Sequence, residues 1–197
     1  MLAAPADLLD DAVSSCVLAL EPTTALDWTR PATDLTWSVF QTAEHIAGCL
    51  IGYAGQVVGQ PASGWVVPDI PLEPGTTPTQ AVAFLAAAGK ILSSVVRTSP
   101  AQARGYHPYG TSDPEGFAAM GVVESLVHTH DIRLTAGQPW PLPEAASAFA
   151  LRRLFPDAPD GPPADVLLWC TGRTALGERP RQARWRWDGS VNASRPR

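Results

Sequence analysis

The sequence predicts an all-α fold, a four-helix bundle with long connections and a short helical and extended C-terminal appendage. Three observations lead there. Four segments carry apolar residues at three- and four-residue spacing over several turns. The stretches between them are long and rich in Gly and Pro. Alternation of the kind a half-buried strand needs is confined to the tail. At 197 residues the chain fits one domain, residues 1–197, with the bundle core over about 5–155 and the appendage over about 156–197.

The first helix is expected from Pro5 to Leu20, where Leu9, Val13, Cys16, Val17 and Leu20 recur on one face and Glu21-Pro22 ends the run. Residues 23–35 read as a connection. A second helix is expected over Ser38 to Val58, with Val39, Ala43, Ile46, Leu50, Tyr53 and Val57 as its buried stripe. His45 stands one position from Ile46, about 100° round the helix, so it flanks the stripe, as does Cys49 one turn on. Gly59 to Pro78 reads as a long loop holding Trp65. The third helix follows over Thr79 to Arg97, then a loop with Arg104, His107 and Tyr109. Asp113-Pro114 supplies an N-cap and an N1 proline for the fourth helix, which ends at Ala136-Gly137. Its Glu124 and His128 lie beside an apolar stripe of Val123, Val127 and Leu134. A fifth helix is expected over Pro143 to Phe155, a short one over Asp165 to Thr171, and an extended segment over Arg184 to Gly189.

Apolar residues make up 45% of the chain, an ordinary share for a globular protein. Neither a net charge of −5 nor a pI of about 5.3 supports nucleic-acid binding through a basic surface. Cys16, Cys49 and Cys170 form no CxxC pair and no disulfide framework, which suits a reducing cytoplasm. The N-terminus has Asp7, Asp10 and Asp11 where a signal peptide needs basic residues, and no uninterrupted apolar run is long enough to span a membrane. A cytoplasmic location is expected. The expected partners are a small-molecule substrate and, at most, a second copy in a homodimer, with no nucleic acid and no membrane.

The chemistry resides in Glu124-Ser125-Leu126-Val127-His128 read with His45. Glu and His four residues apart stack on one face of a helix, and a neighbouring helix can bring His45 to the same point. Two imidazoles and a carboxylate are the ligand set of a catalytic divalent metal with an open position. Alternatives stand beside this. Glu-x-x-x-His also arises as a surface pair, and all three residues can simply make hydrogen bonds. His130 points about 200° from His128 and lines a seam or bonds the backbone. Asp131 either holds an imidazole tautomer or pairs with an arginine. Cys49 is a fourth ligand or, as favoured here, a small core residue. The tryptophans read as packing, some of them as pocket walls. Arg104, Arg152, Arg153 and Arg173 read mostly as a solvated face, although any of them can recognise an anion.

Thr36-Trp37-Ser38-Val39 followed by Ala43-Glu44-His45-Ile46 resembles the opening of the metal-bearing helix in the DinB-like superfamily. Gly121 to Ile132 resembles the later metal helix of its mycothiol-dependent maleylpyruvate isomerase branch, which uses His, Glu and His, and Leu167 to Arg173 is similar to a segment of that branch's short members. The resemblance spans about residues 5–155. It implies an up-down-down-up four-helix bundle. It also implies a divalent metal, commonly Zn2+ with Ni2+ and Fe2+ as alternatives, at His45, Glu124 and His128, and a low-molecular-weight thiol such as mycothiol as cosubstrate. Isomerases of that branch carry a sizeable second domain after the bundle, whereas only about forty residues follow the fifth helix here. A thiol transferase, or an enzyme of a specialised metabolite, is therefore expected in preference to maleylpyruvate isomerisation. A metal-dependent hydrolase or lyase, or a non-catalytic metal- or ligand-binding bundle, is the alternative.

Overall fold

Six α-helices and no strand make up the described residues, 3–33 and 35–191, of the computed structural model. They are α1 (Pro5–Leu20), α2 (Val39–Gly59), α3 (Pro78–Thr98), α4 (Pro114–Thr135), α5 (Glu144–Leu154) and α6 (Pro163–Cys170). The end of the expected appendage, residues 192–197, lies outside the described residues.

Local sequence sets the helix starts. Ser38 and Thr77 each close a capping box, with Gln41 and Gln80 three residues on, and Asp113 accepts the Gly116 N–H at the head of α4. α1 and α2 each pack on both α3 and α4, so α1 and α2 face one another across a four-helix bundle. The links between bundle helices are long. The first is pinned by Trp28, which is buried and accepts the Phe40 N–H on its carbonyl while its indole donates to Thr23.

α4 is the axis of the molecule. From Gly116 to Val127 every residue is buried, because α1, α2, α3 and α5 surround it. Its small residues permit that. A Cβ on Gly121 would come within 2.9 Å of Leu92, 3.0 Å of Leu50 and 3.2 Å of Leu9. The apolar stripe expected through Leu134 is corrected here: Leu134 is exposed, since the helix end projects past the core.

α3 is the described helix whose length and mean hydropathy, 1.5, meet the test for a membrane span. A count of uninterrupted apolar runs passes over it because Lys90 interrupts it. In the fold Val82, Leu85 and Leu92 are buried in the bundle, while Lys90 and Arg97 pair with Asp10 and with Asp7 and Asp10 of α1.

The C-terminal segment is tied into the bundle. α5 packs on α4 and α6. Beyond α6 the chain returns as irregular backbone, and the Asp188 and Gly189 N–H groups donate to Leu154 and Tyr109. This seats Trp187 against His107 and Tyr109. The expected extended run over Arg184 to Gly189 forms no strand, because its backbone bonds go singly to a helix end and a loop.

Candidate metal centre

The α2 capping box fixes where the helix begins, and from there His45, Cys49 and Tyr53 follow at four-residue intervals along one face. α4 presents Glu124, His128 and Asp131 opposite them. Glu124 is buried and His45 and Cys49 are half-buried, so the cluster opens on one side.

One Glu124 oxygen, Oε2, lies 3.3 Å from His45 Nε2 and 3.2 Å from His128 Nε2. The other, Oε1, accepts the Tyr53 hydroxyl at 3.2 Å. The two imidazole rings stand nearly perpendicular with centroids 5.1 Å apart. Cys49 Sγ is 3.5 Å from His45 Nε2, and donor atoms of His45, Cys49 and Glu124 all lie within 4.8 Å of one another. Trp37, at the helix entrance, covers both rings, with its centroid 4.7 Å from that of His45 and 6.1 Å from that of His128.

Asp131 pairs with an arginine and stands beside the His128 ring without a hydrogen bond to it. Its Oδ2 lies 3.3 Å from His128 Nδ1, and its carboxylate takes a two-point contact from Arg173, at 3.3 Å to Nε and 2.7 Å to Nη2. Arg173 reaches it because Gly172 turns the chain after α6 at a φ of +69°, where a Cβ would also approach the Gln182 carbonyl to 2.8 Å. Arg153 is buried and Arg173 half-buried, against the expectation of a solvated face. Each pairs with an acid, Arg153 with the half-buried Asp113 and Arg173 with the buried Asp131. Arg104 and Arg152 are exposed as expected.

The electrostatics follow from this. Burial opposes ionisation of Glu124, but His128 and His45 more than reverse it and hold the carboxyl well below its usual range. Burial likewise opposes the charge on Asp131, and His128 and Arg173 overcome it. Burial pushes the His128 imidazole down, and contact with Asp131 and then Glu124 carries it above the ordinary value. Burial, reinforced by the Glu124 charge, drives the Cys49 thiol and the Tyr53 phenol up.

The donor separations fit a metal ion. A tetrahedron of N and O ligands at about 2.0–2.2 Å has edges of roughly 3.3–3.5 Å, and an edge from N to a thiolate sulfur is about 3.5 Å. The separations of 3.2, 3.3 and 3.5 Å lie close to these lengths; His45, Cys49 and Glu124 share one neighbourhood, and His128 joins it through Glu124 Oε2.

The structure thus brings His45, Glu124 and His128 together and leaves His130 out. The His130 ring is buried elsewhere, and neither of its nitrogens has a hydrogen-bond partner among the described residues. Cys49 packs against the core as expected, only half-buried, and its sulfur also joins the cluster, because the face it shares with His45 turns toward Glu124. Tyr53 was assigned to the apolar stripe alone. The repeat of His45, Cys49 and Tyr53 at four-residue spacing was the signal that could have found it.

A cleft of about 420 Å³ lies behind Asp131, lined by Leu35, Arg173, Arg181, Gln182 and Trp185 among others. Arg173 stacks over Trp185 at 5.7 Å.

The sequence model of the DinB superfamily matches residues 8–132, more than half of the chain. The chain belongs to the DinB superfamily. The DinB match runs from α1 to the end of α4 and includes both faces of the cluster, which suits a superfamily that binds metal. Comparison with curated proteins and with solved structures gives no match.

Proposed function

We propose that this chain is a metal-dependent enzyme that activates a low-molecular-weight thiol of the mycothiol type. The activated thiol serves either S-transfer to a small electrophilic metabolite or thiol-assisted isomerisation of one. One observation carries the reading: in a DinB-superfamily chain, His45 and His128 converge from two helices on the same Glu124 oxygen, at 3.3 and 3.2 Å, in a cluster open on one side. The resemblance of Gly121 to Ile132 to the maleylpyruvate isomerase branch supports the thiol.

His45, Glu124 and His128 would hold the ion, with zinc favoured by the mixed N and O donors and Ni2+ and Fe2+ as the comparisons. When bound, the ion supplies Lewis acidity that keeps a thiol sulfur as thiolate near neutral pH. The protein does the rest. Tyr53 occupies Glu124 Oε1 and so leaves Oε2 for the site. Asp131, held by Arg173, faces Nδ1 of His128 and turns its Nε2 inward. Trp37 covers the His45 ring on its outer side and narrows the approach. Arg173, paired with Asp131, and Arg181 give the neighbouring cleft a polar lining beside the Trp185 ring. In transfer, the sulfur forms a bond to carbon as the bond to the leaving group breaks and that group departs with the electron pair. In isomerisation, the sulfur adds to a conjugated double bond, the resulting single bond rotates, and the thiol leaves again.

The test is turnover by metal-loaded protein with mycothiol or a related thiol against a panel of alkyl halides, epoxides and conjugated diacids. Metal-dependent loss of thiol, abolished in His128→Ala, is expected. A fully loaded protein inert with every thiol and electrophile would replace this reading with a non-catalytic metal-binding bundle.

A further inference from the structure

We infer that Cys49 is a fourth protein ligand of the metal, completing a set of His45, Cys49, Glu124 and His128. The inference rests on the metal reading above and goes beyond it, since the resemblance implies only two histidines and a glutamate.

Three observations carry it. Cys49 Sγ lies 3.5 Å from His45 Nε2, the length of a nitrogen-to-thiolate edge in a tetrahedral site. Its position one turn after His45 on the same face of α2 aims it at Glu124, and the three donors share one neighbourhood within 4.8 Å. Charge also balances: Glu124 and a Cys49 thiolate together offset a divalent cation, with both imidazoles neutral. Of the three cysteines, Cys16 and Cys170 are buried and Cys49 is only half-buried, at the open side of the cluster.

Two consequences follow. A thiolate softens the donor set and biases the site toward zinc over magnesium or manganese. A Cys49 ligand would also sit at the open side of the cluster, so an incoming thiol would meet it there and either displace it or add beside it as a fifth ligand.

The test titrates metal-free full-length protein with cobalt(II) chloride. Wild type should bind one equivalent and show an intense near-ultraviolet sulfur-to-cobalt charge-transfer band. Cys49→Ala should bind without that band, and more weakly by at least the roughly ten-fold that even an outer partner is worth. One equivalent bound by wild type without the band overturns the role of Cys49 and leaves the metal reading standing. No cobalt bound by wild type overturns both. A second measurement needs no variant: the rate of Cys49 alkylation by iodoacetamide, read by mass, with and without zinc. Zinc should slow it at least ten-fold, and equal rates in zinc-loaded and metal-free protein would overturn the assignment.

Discussion

His128 stands between two carboxylates, with Nε2 3.2 Å from Glu124 and Nδ1 3.3 Å from Asp131, which Arg173 in turn secures. That chain of contacts makes Asp131 a positioning residue. Asp131→Asn should therefore lower metal affinity about 10- to 100-fold while the helical content is kept, as measured by competition against a chelator. An unchanged affinity would mean that Asp131 serves only to neutralise Arg173. At this scale the sequence was partly legible. The Glu124/His128 spacing and the place of His45 beside its stripe follow from helical periodicity alone. Tyr53 was hidden because one residue serves both the apolar stripe and the Glu124 carboxylate. The pairing of Asp131 with Arg173 was out of reach, because it depends on how α6 and the turn at Gly172 return the chain to α4.

Helix starts are the most readable elements where capping chemistry is local: Asp113 with Pro114 marks α4 where the structure begins it, and the Ser38–Gln41 capping box explains why α2 begins beside the expected Ser38. What periodicity could not show was the central place of α4. Gly116, Ala118, Ala119 and Gly121 interrupt any stripe, and their smallness lets α1, α2, α3 and α5 close around the helix. Gly121→Ala tests this packing. Its new methyl meets the side-chain ends of Leu92, Leu50 and Leu9, all three fully buried. Helix propensity favours Ala over Gly by about 1 kcal/mol, but overpacking costs about 1–3 kcal/mol, so net destabilisation is expected. A lower urea midpoint at constant slope would agree, and a raised midpoint would show that α4 has slack.

The whole molecule couples its C-terminal segment to the bundle through His107, which is buried among Tyr53, Trp65, Tyr109 and Trp187. Burial lowers its pKa from 6.5 to about 4. Between those values the unfolded chain takes up a proton that the folded chain refuses, so this contribution to stability is complete above pH 6.5 and lost as pH falls toward 4. His107→Phe keeps an aromatic ring and cannot be protonated. Metal-free His107→Phe should therefore lose less stability over that interval than metal-free wild type, and equal slopes would place the acid sensitivity elsewhere, His130 included. The bundle itself was legible from four periodic segments and their long links. The tie made by Trp187, Asp188 and Gly189 was not, because irregular backbone carries no period. The central claim, that the cluster between α2 and α4 is a metal site, is tested most directly by metal content. The measurement is plasma mass spectrometry of untagged wild type, His45→Ala, His128→Ala and His130→Ala, each purified without chelator. Close to one equivalent is expected in wild type and His130→Ala, with loss in His45→Ala and His128→Ala. No metal in wild type after zinc, nickel or iron is offered, or retention of a full equivalent by His128→Ala, would contradict the account.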